Sequence, residues 1–356
     1  MSKSSKKSSG RSLPHLLKMS PMADALASGP VTLPDVKAPS LEGLKVTVPA
    51  RADLTEDDLL RRLHELKREH ASMRDRAVGE QVALGDEVQL NTLGYCDGKL
   101  IPFSVRVGLW LELAPQAPLP GFAEAIAAGT VGDSLEVNLV LPSDYPVEWM
   151  RGLPARFVVD LKAAREVVEL GDETPALFKA LGRGTTLDAV MTSIREELED
   201  ELADSLTLEG QERVLDALVS RAKLTVPSTL VDEEIRRRWG QQEGKLLGEL
   251  GFDAEEQREA MLGWLNDPAT RADAEHRLQV ALVLRAVAAQ AHLELTPAKL
   301  EHIAQVAGAA SGLSAEQVRA GLRESKDLTA QMAQTAWHLL AVEHVMAAAQ
   351  VTYEGA

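Results

Sequence analysis

The hydrophobic pattern changes period near residue 167, and no other feature of these 356 residues constrains the fold as much. Upstream, short runs alternate apolar and polar side chains: Glu87-Val88-Gln89-Leu90-Asn91, Ser134-Leu135-Glu136-Val137-Asn138-Leu139 and Arg156-Phe157-Val158-Val159-Asp160-Leu161. A period of two puts one set of side chains on each face of an extended chain, so each run predicts a half-buried strand. Asp97-Gly98 supplies a turn signal after the first of them. Pro120-Gly121 precedes a short helical piece from Phe122 to Ala128, which Gly129 ends. Seven of the thirteen aromatic residues (Tyr95, Phe103, Trp110, Phe122, Tyr145, Trp149 and Phe157) fall within this stretch, so the bulky core material is concentrated there. Residues 81–166 read as a small antiparallel β domain with one short helix.

Downstream the spacing becomes helical. Val190, Ile194, Leu198 and Leu202 recur every four residues through the acidic run Arg195-Glu196-Glu197-Leu198-Glu199-Asp200-Glu201, the pattern of a helix with a solvated face. Further helices are expected after Pro227 with Ser228 as cap, after Asp267-Pro268 and after Thr296-Pro297. Another is expected behind the capping box Ser314-Ala315-Glu316-Gln317, because proline and a reciprocal hydroxyl–amide pair both favour a helix start. A last helix runs from about Asp327 to Gln350. No segment recurs at the period of a solenoid. Between 41 and 80, Leu44-Lys45-Val46-Thr47-Val48-Pro49 reads as a strand stopped by proline. Thr55-Glu56-Asp57-Asp58 then caps an amphipathic helix carrying Leu59, Leu63, Leu66 and Met73. That helix is expected to pack on residues 167–356, which would make the helical body discontinuous. The fold class is α+β, a small antiparallel β domain inserted into a mainly helical body.

Charge and composition exclude several functions. The net charge is −16, yet residues 1–40 hold six basic residues against two acidic ones, a flexible basic tail on an acidic body. Such a balance opposes a protein whose whole surface tracks nucleic acid or anionic lipid. A weak tail contact with RNA is the only nucleic-acid contact expected. Cys96 is the single cysteine, so no intrachain disulfide and no cysteine zinc site can form. Leu13-Pro14-His15-Leu16-Leu17 is too short for a secretory signal, and no apolar stretch approaches the roughly 18 residues of a membrane span. A cytoplasmic protein without membrane contact is expected.

Catalytic motifs are sparse. The pairs His64/His70 and His338/His344 are six apart, whereas two ligands on one helical face need three or four. Gly182-Arg183-Gly184 follows a helical segment rather than a strand, so it reads as a loop and not a phosphate cradle. No cofactor, nucleotide or metal is expected. What remains is the apolar concentration around Pro120-Gly121-Phe122, which is either a plain core or a groove for an apolar side chain or proline ring.

The chain resembles the trigger factor family of ribosome-associated chaperones. The similarity begins at Leu41-Glu42-Gly43-Leu44-Lys45-Val46-Thr47-Val48-Pro49 and continues through Gly94, Asp97-Gly98, Pro120-Gly121-Phe122, Ile126, Gly132-Asp133, Pro142, Tyr145 and Gly152. It runs on through Leu224-Thr225-Val226-Pro227 and ends near Ala349-Gln350-Val351-Thr352. The resemblance implies an FKBP-like peptidyl-prolyl isomerase domain at 81–166 and an α-helical chaperone domain at 167–356. The family's ribosome-docking signature, Gly-Phe-Arg-x-Gly-Lys-x-Pro, occurs nowhere in these residues. The amino-terminal ribosome-binding domain is thus outside the resemblance, and docking by the family's usual route is not expected.

In the isomerase domain the resemblance places Phe122, Tyr145 and Phe157 on the aromatic wall of the proline site, with Leu119 beside them. It implies that the Tyr145 hydroxyl and the Leu119 backbone N–H hold the substrate backbone. Leu109, Ile101 and Thr92 stand where aromatic residues are usual, and Pro102 stands at an often acidic position; Trp149 joins them as a substrate contact. The implied function is a folding factor with peptidyl-prolyl cis–trans isomerase and client-holding activity, acting on unfolded or nascent polypeptides with X–Pro bonds. The alternative is a non-catalytic holdase or dedicated assembly chaperone with a vestigial pocket. Thr92, Ile101, Pro102 and Leu109 are the residues that divide the two.

Overall fold

Two long strands organise the β sheet of the computed structural model, which describes residues 33–114, 119–171, 174–310 and 313–354. They are β3 (Glu87–Cys96) and β7 (Pro154–Val168), antiparallel from Glu87↔Arg165 to Tyr95↔Arg156. The outer side of β7 takes β2 (Ser72–Asp75) at its carboxyl end and β6 (Ser134–Val140) at its amino end. The outer side of β3 takes β4 (Lys99–Leu100) across a tight turn and β5 (Arg106–Glu112). Asp97 and Gly98 both have positive φ, as a two-residue hairpin turn of this hand requires. The expected alternation holds through all of β3, whose even-numbered residues are buried from Val88 to Cys96. That face meets α2 (Phe122–Ala127), and their shared core includes Val88, Leu90, Ile126, Val137 and Leu161.

The chain divides into two compact units. One comprises 54–196 and 235–271, and so contains the sheet. The other comprises 1–53, 197–234 and 272–356, of which residues 1–32, most of the expected basic tail, lie outside the described residues. This division differs from the expected one. The helix α1 (Glu56–Glu69) groups with the sheet and not with the helical body. Its Thr55–Asp58 capping box forms, and Arg68 donates to the Gly85 carbonyl at 3.0 Å and pairs with Glu112 at 3.1 Å. Met73 does not continue the helix; it lies on β2 opposite Val167, because the long β7 offers that segment a ladder partner.

In the sheet-containing unit, α3 (Pro175–Leu181) follows the sheet, and residues 235–271 return to it. Helices α6 (Glu243–Glu249) and α7 (Ala254–Asn266), with the turn between them, bring Leu246, Leu247, Phe252 and Ala260 against Val105, Leu93 and Leu100. Leu93 is an odd-numbered β3 residue, so these helices cover the sheet face opposite the main core.

The other unit is helical around a two-stranded parallel sheet. β1 (Lys45–Val48) pairs with β8 (Gln350–Tyr353), a strand whose first residue the sequence pattern assigns to the last helix. The core joins Leu44 to Val214 and Leu218 of α4 (Leu187–Ala222), Val283 of α8 (Pro268–Gln290), and Val342 and Val345 of α11 (Lys326–Ala348). Arg221 fastens the incoming chain by donating to the carbonyls of Ser40, Glu42 and Gly43 at 2.7–2.9 Å. Helices α5 (Ser228–Gln241), α9 (Pro297–Ala310) and α10 (Ala315–Glu324) start at the expected signals, α10 with a complete Ser314–Gln317 capping box. Helices α4, α5 and α8 contribute residues to both units. Among the described residues no helix is long and apolar enough to cross a membrane.

Candidate functional site

The site is built where α2 begins. Gly121 has φ of +84°, a conformation that costs a side-chain-bearing residue energy and that glycine adopts freely. It turns the chain so that Phe122 is the first helical residue, with the Phe122 N–H donating to the Leu119 carbonyl at 3.1 Å. The Phe122 ring meets Phe157 of β7 edge-to-face, centroids 5.6 Å apart at 77°. This geometry sets the positive edge of one ring on the negative face of the other. Across the ladder Gly94 pairs with Phe157, and a Cβ there would lie 2.6 Å from Phe157 Cε1. Only glycine lets the ring lie so close to β3.

The segment after β4 folds over the same spot. Ile101 is buried in the shared core, and its N–H donates to the Gly94 carbonyl at 2.8 Å. The buried Ser104 hydroxyl accepts from the Gly94 N–H at 3.1 Å and lies 3.3 Å from the Gly94 carbonyl, to which it donates. Tyr145 and Leu119 are half-buried and pack against this core. Tyr145 is held by its backbone, the N–H on the Pro142 carbonyl at 3.1 Å and its own carbonyl under the Arg151 Nε at 2.8 Å.

Of the residues singled out in the sequence, Phe122, Phe157, Ile101, Leu119 and Tyr145 converge on one core. Thr92 lies on the same β3 face, between Leu90 and Gly94. Leu109 and Trp149 do not join it. Leu109 is 37% exposed on β5, and Trp149 is 54% exposed on the 3-10 turn Glu148–Met150. In that turn the neighbouring Met150 is the residue that enters the core, a choice no periodicity in three residues could reveal. Cys96 and Ser104 are further parts of the site that sequence reasoning passed over. Cys96 had a usable signal, since the alternation from Val88 continues to it.

Burial pushes the Tyr145 phenol up, against the opposing pull of Arg106, and burial likewise raises the Cys96 thiol. Both stay neutral near pH 7, so neither serves as a poised acid or base. No three described histidine, cysteine or acidic residues are placed to hold a metal ion. The arrangement is a buried aromatic pair with a half-buried tyrosine packed against the same core.

The carboxyl-terminal half matches the family description "Bacterial trigger factor protein (TF) C-terminus" over residues 186–347. Over 323 residues the chain is 26% identical to the trigger factor of Actinobacillus pleuropneumoniae serotype 5b, spanning 90% of this chain and 70% of that protein. It is 27% identical over 326 residues to the trigger factor of Pasteurella multocida, spanning 91% and 72%. A solved structure reported under substrate recognition in folding and assembly by the trigger factor chaperone aligns at 16% identity, covering 88% of this chain and 72% of that one, with a TM-score of 0.32.

Proposed function

From its match to the trigger factor C-terminal family over residues 186–347 and its similarity to trigger factors over most of its length, we propose that the chain is a protein-folding factor of that family whose aromatic site isomerises X–Pro bonds in unfolded or nascent polypeptides. Client holding is assigned to the helical unit. The observation that carries the reading is the Phe122–Phe157 edge-to-face pair with Tyr145 packed on the same core.

The chemistry needs little more. Rotation about the X–Pro bond breaks amide conjugation, a barrier of about 18–20 kcal/mol. The twisted amide has a less polar C–N unit than the planar one, so a dry apolar floor favours the twisted form. A proline ring on Phe122 and Phe157 would be fixed while the preceding carbonyl turns, and the Tyr145 phenol would hold the peptide backbone. Uncatalysed isomerisation takes about 10–100 s, slow enough to limit folding.

One observation favours the second reading, a holdase with a vestigial pocket. Leu109 lies exposed on β5, and of that strand only Leu111 packs against the core that holds the floor. Tyr145→Phe separates the readings, since it removes a hydroxyl and keeps the ring. Isomerisation of a proline tetrapeptide should fall by up to about tenfold, the worth of one hydrogen bond at roughly 0.5–1.5 kcal/mol. Suppression of client aggregation should stay at the wild-type level. A wild-type protein without measurable isomerisation would decide for the vestigial pocket, and equal loss of both activities would place them at one site.

A further inference from the structure

Among the described residues, three buried hydroxyl groups occur in the sheet-containing unit, and two are engaged. Ser104 is bonded to both backbone groups of Gly94, and the Thr270 hydroxyl donates to the Asp267 carboxylate at 2.6 Å. Thr92 is different: it is 8% exposed, and its Oγ1 has no hydrogen-bond partner and no contact with solvent. The strand does not need this hydroxyl, because β3 pairs at Thr92 with Val159 on one side and Arg106 on the other. Valine has the same shape, suits a strand equally and carries no polar atom. An unpaired buried hydroxyl costs a fold free energy, so its presence asks for a partner that binding supplies.

Its position says what that partner is. Thr92 is two residues before Gly94 on one β3 face, and Gly94 abuts the Phe157 ring. The hydroxyl therefore lies on the face that holds the aromatic floor. The neighbouring polar groups, Gly94 N–H and C=O and Ser104 Oγ, are already bonded to one another. A ligand is left to provide the acceptor, and in a peptide the acceptor beside a proline ring is a main-chain carbonyl.

We propose that the Thr92 hydroxyl is a specificity-determining donor of this site, giving its O–H to a carbonyl oxygen flanking the bound proline; this rests on the isomerase reading above. The site then prefers a ligand with a carbonyl at that depth over an apolar ring alone, because only the former satisfies the hydroxyl.

The test compares wild type, Thr92→Val and Thr92→Ser in the full chain, titrated with a Phe-Pro tetrapeptide and followed by exchange between its cis and trans NMR signals. Thr92→Val should bind about two- to tenfold more weakly, the loss of one hydrogen bond, while its melting temperature equals or exceeds that of wild type. Thr92→Ser should restore binding. Opposite movement of stability and affinity is what a merely structural hydroxyl would not produce. Wild-type affinity in Thr92→Val overturns the inference and leaves the isomerase reading standing. Parallel loss of stability and binding, or failure of Thr92→Ser to restore binding, also overturns it. A wild-type chain that does not bind the tetrapeptide removes the isomerase reading itself, and the inference with it.

Discussion

Trp264→Ala is expected to unfold the sheet-containing unit near neutral pH. Trp264 is fully buried on α7, and its ring lies on Phe103 with centroids 4.1 Å apart. Its indole N–H donates to Glu243, a buried carboxylate that also accepts from the Val105 N–H at 3.4 Å. Truncating a core aromatic costs about 3–5 kcal/mol, and a buried acceptor left short of a donor adds to that. The sum approaches the whole margin of a domain, about 5–15 kcal/mol.

The size of the loss should depend on pH. Burial holds the Glu243 carboxyl above its ordinary value, while the Trp264 and Val105 bonds pull the other way. With a folded pKa above the unfolded one, the native state keeps its proton longer. Glu243's contribution is therefore most favourable below the unfolded pKa and declines as pH rises through the folded one. Removing the Trp264 donor raises the folded pKa further. The variant should thus be nearer to wild type in mild acid than above pH 7. Urea unfolding followed by near-ultraviolet circular dichroism at both pH values measures this. An equal, small loss at each would show that Glu243 is satisfied without the indole.

Val48→Asp should do comparable harm to the helical unit. Val48 is wholly buried at the end of β1, paired with Tyr353, and its carbonyl accepts the Glu354 N–H at 2.9 Å. A Cβ added to Gly210 of α4 would lie 3.5 Å from Val48 Cγ2, so strand and helix are in close contact there. Arg51 and Arg213 near this point are already paired with Glu209, so a new carboxylate would compete for cations that are taken. Burying an unpaired charge costs several kcal/mol, or forces the group to stay protonated. Thermal unfolding should shift down strongly, and Lys45→Asp, on the exposed side of the same strand, should shift it little. An unchanged transition in Val48→Asp would mean that the β1–β8 pair is peripheral to this unit.

These two positions also show what kind of information the sequence carried. The strand at Lys45–Val48 and the helix at Glu56–Glu69 were both legible, from alternation and from a capping box. Their partners were not. The strand belongs with β8 and the helix with the sheet, although only a few residues separate them. Likewise the start signals at Pro227 and Asp267-Pro268 marked helices, but none was expected between them, and nothing assigned Glu243 and Trp264 to the sheet's second face.

For the candidate site the division is similar. Phe122, Tyr145 and Phe157 stand out as aromatics in a strand-rich stretch, and Gly121 as a turn. The inward choice of Met150 over Trp149, the exposure of Leu109 and the stranded hydroxyl of Thr92 depend on neighbours distant in the chain. Periodicity, caps and turn residues act over a few residues, through backbone sterics and local hydrogen bonds, so the sequence alone determined β1, β3, β6, the first half of β7 and the capped helices. Which faces meet is decided by burial and by pairing of polar groups across tens to hundreds of residues. For that reason only the tertiary structure decided the two units, the packing of the aromatic pair and the burial of the Thr92 hydroxyl.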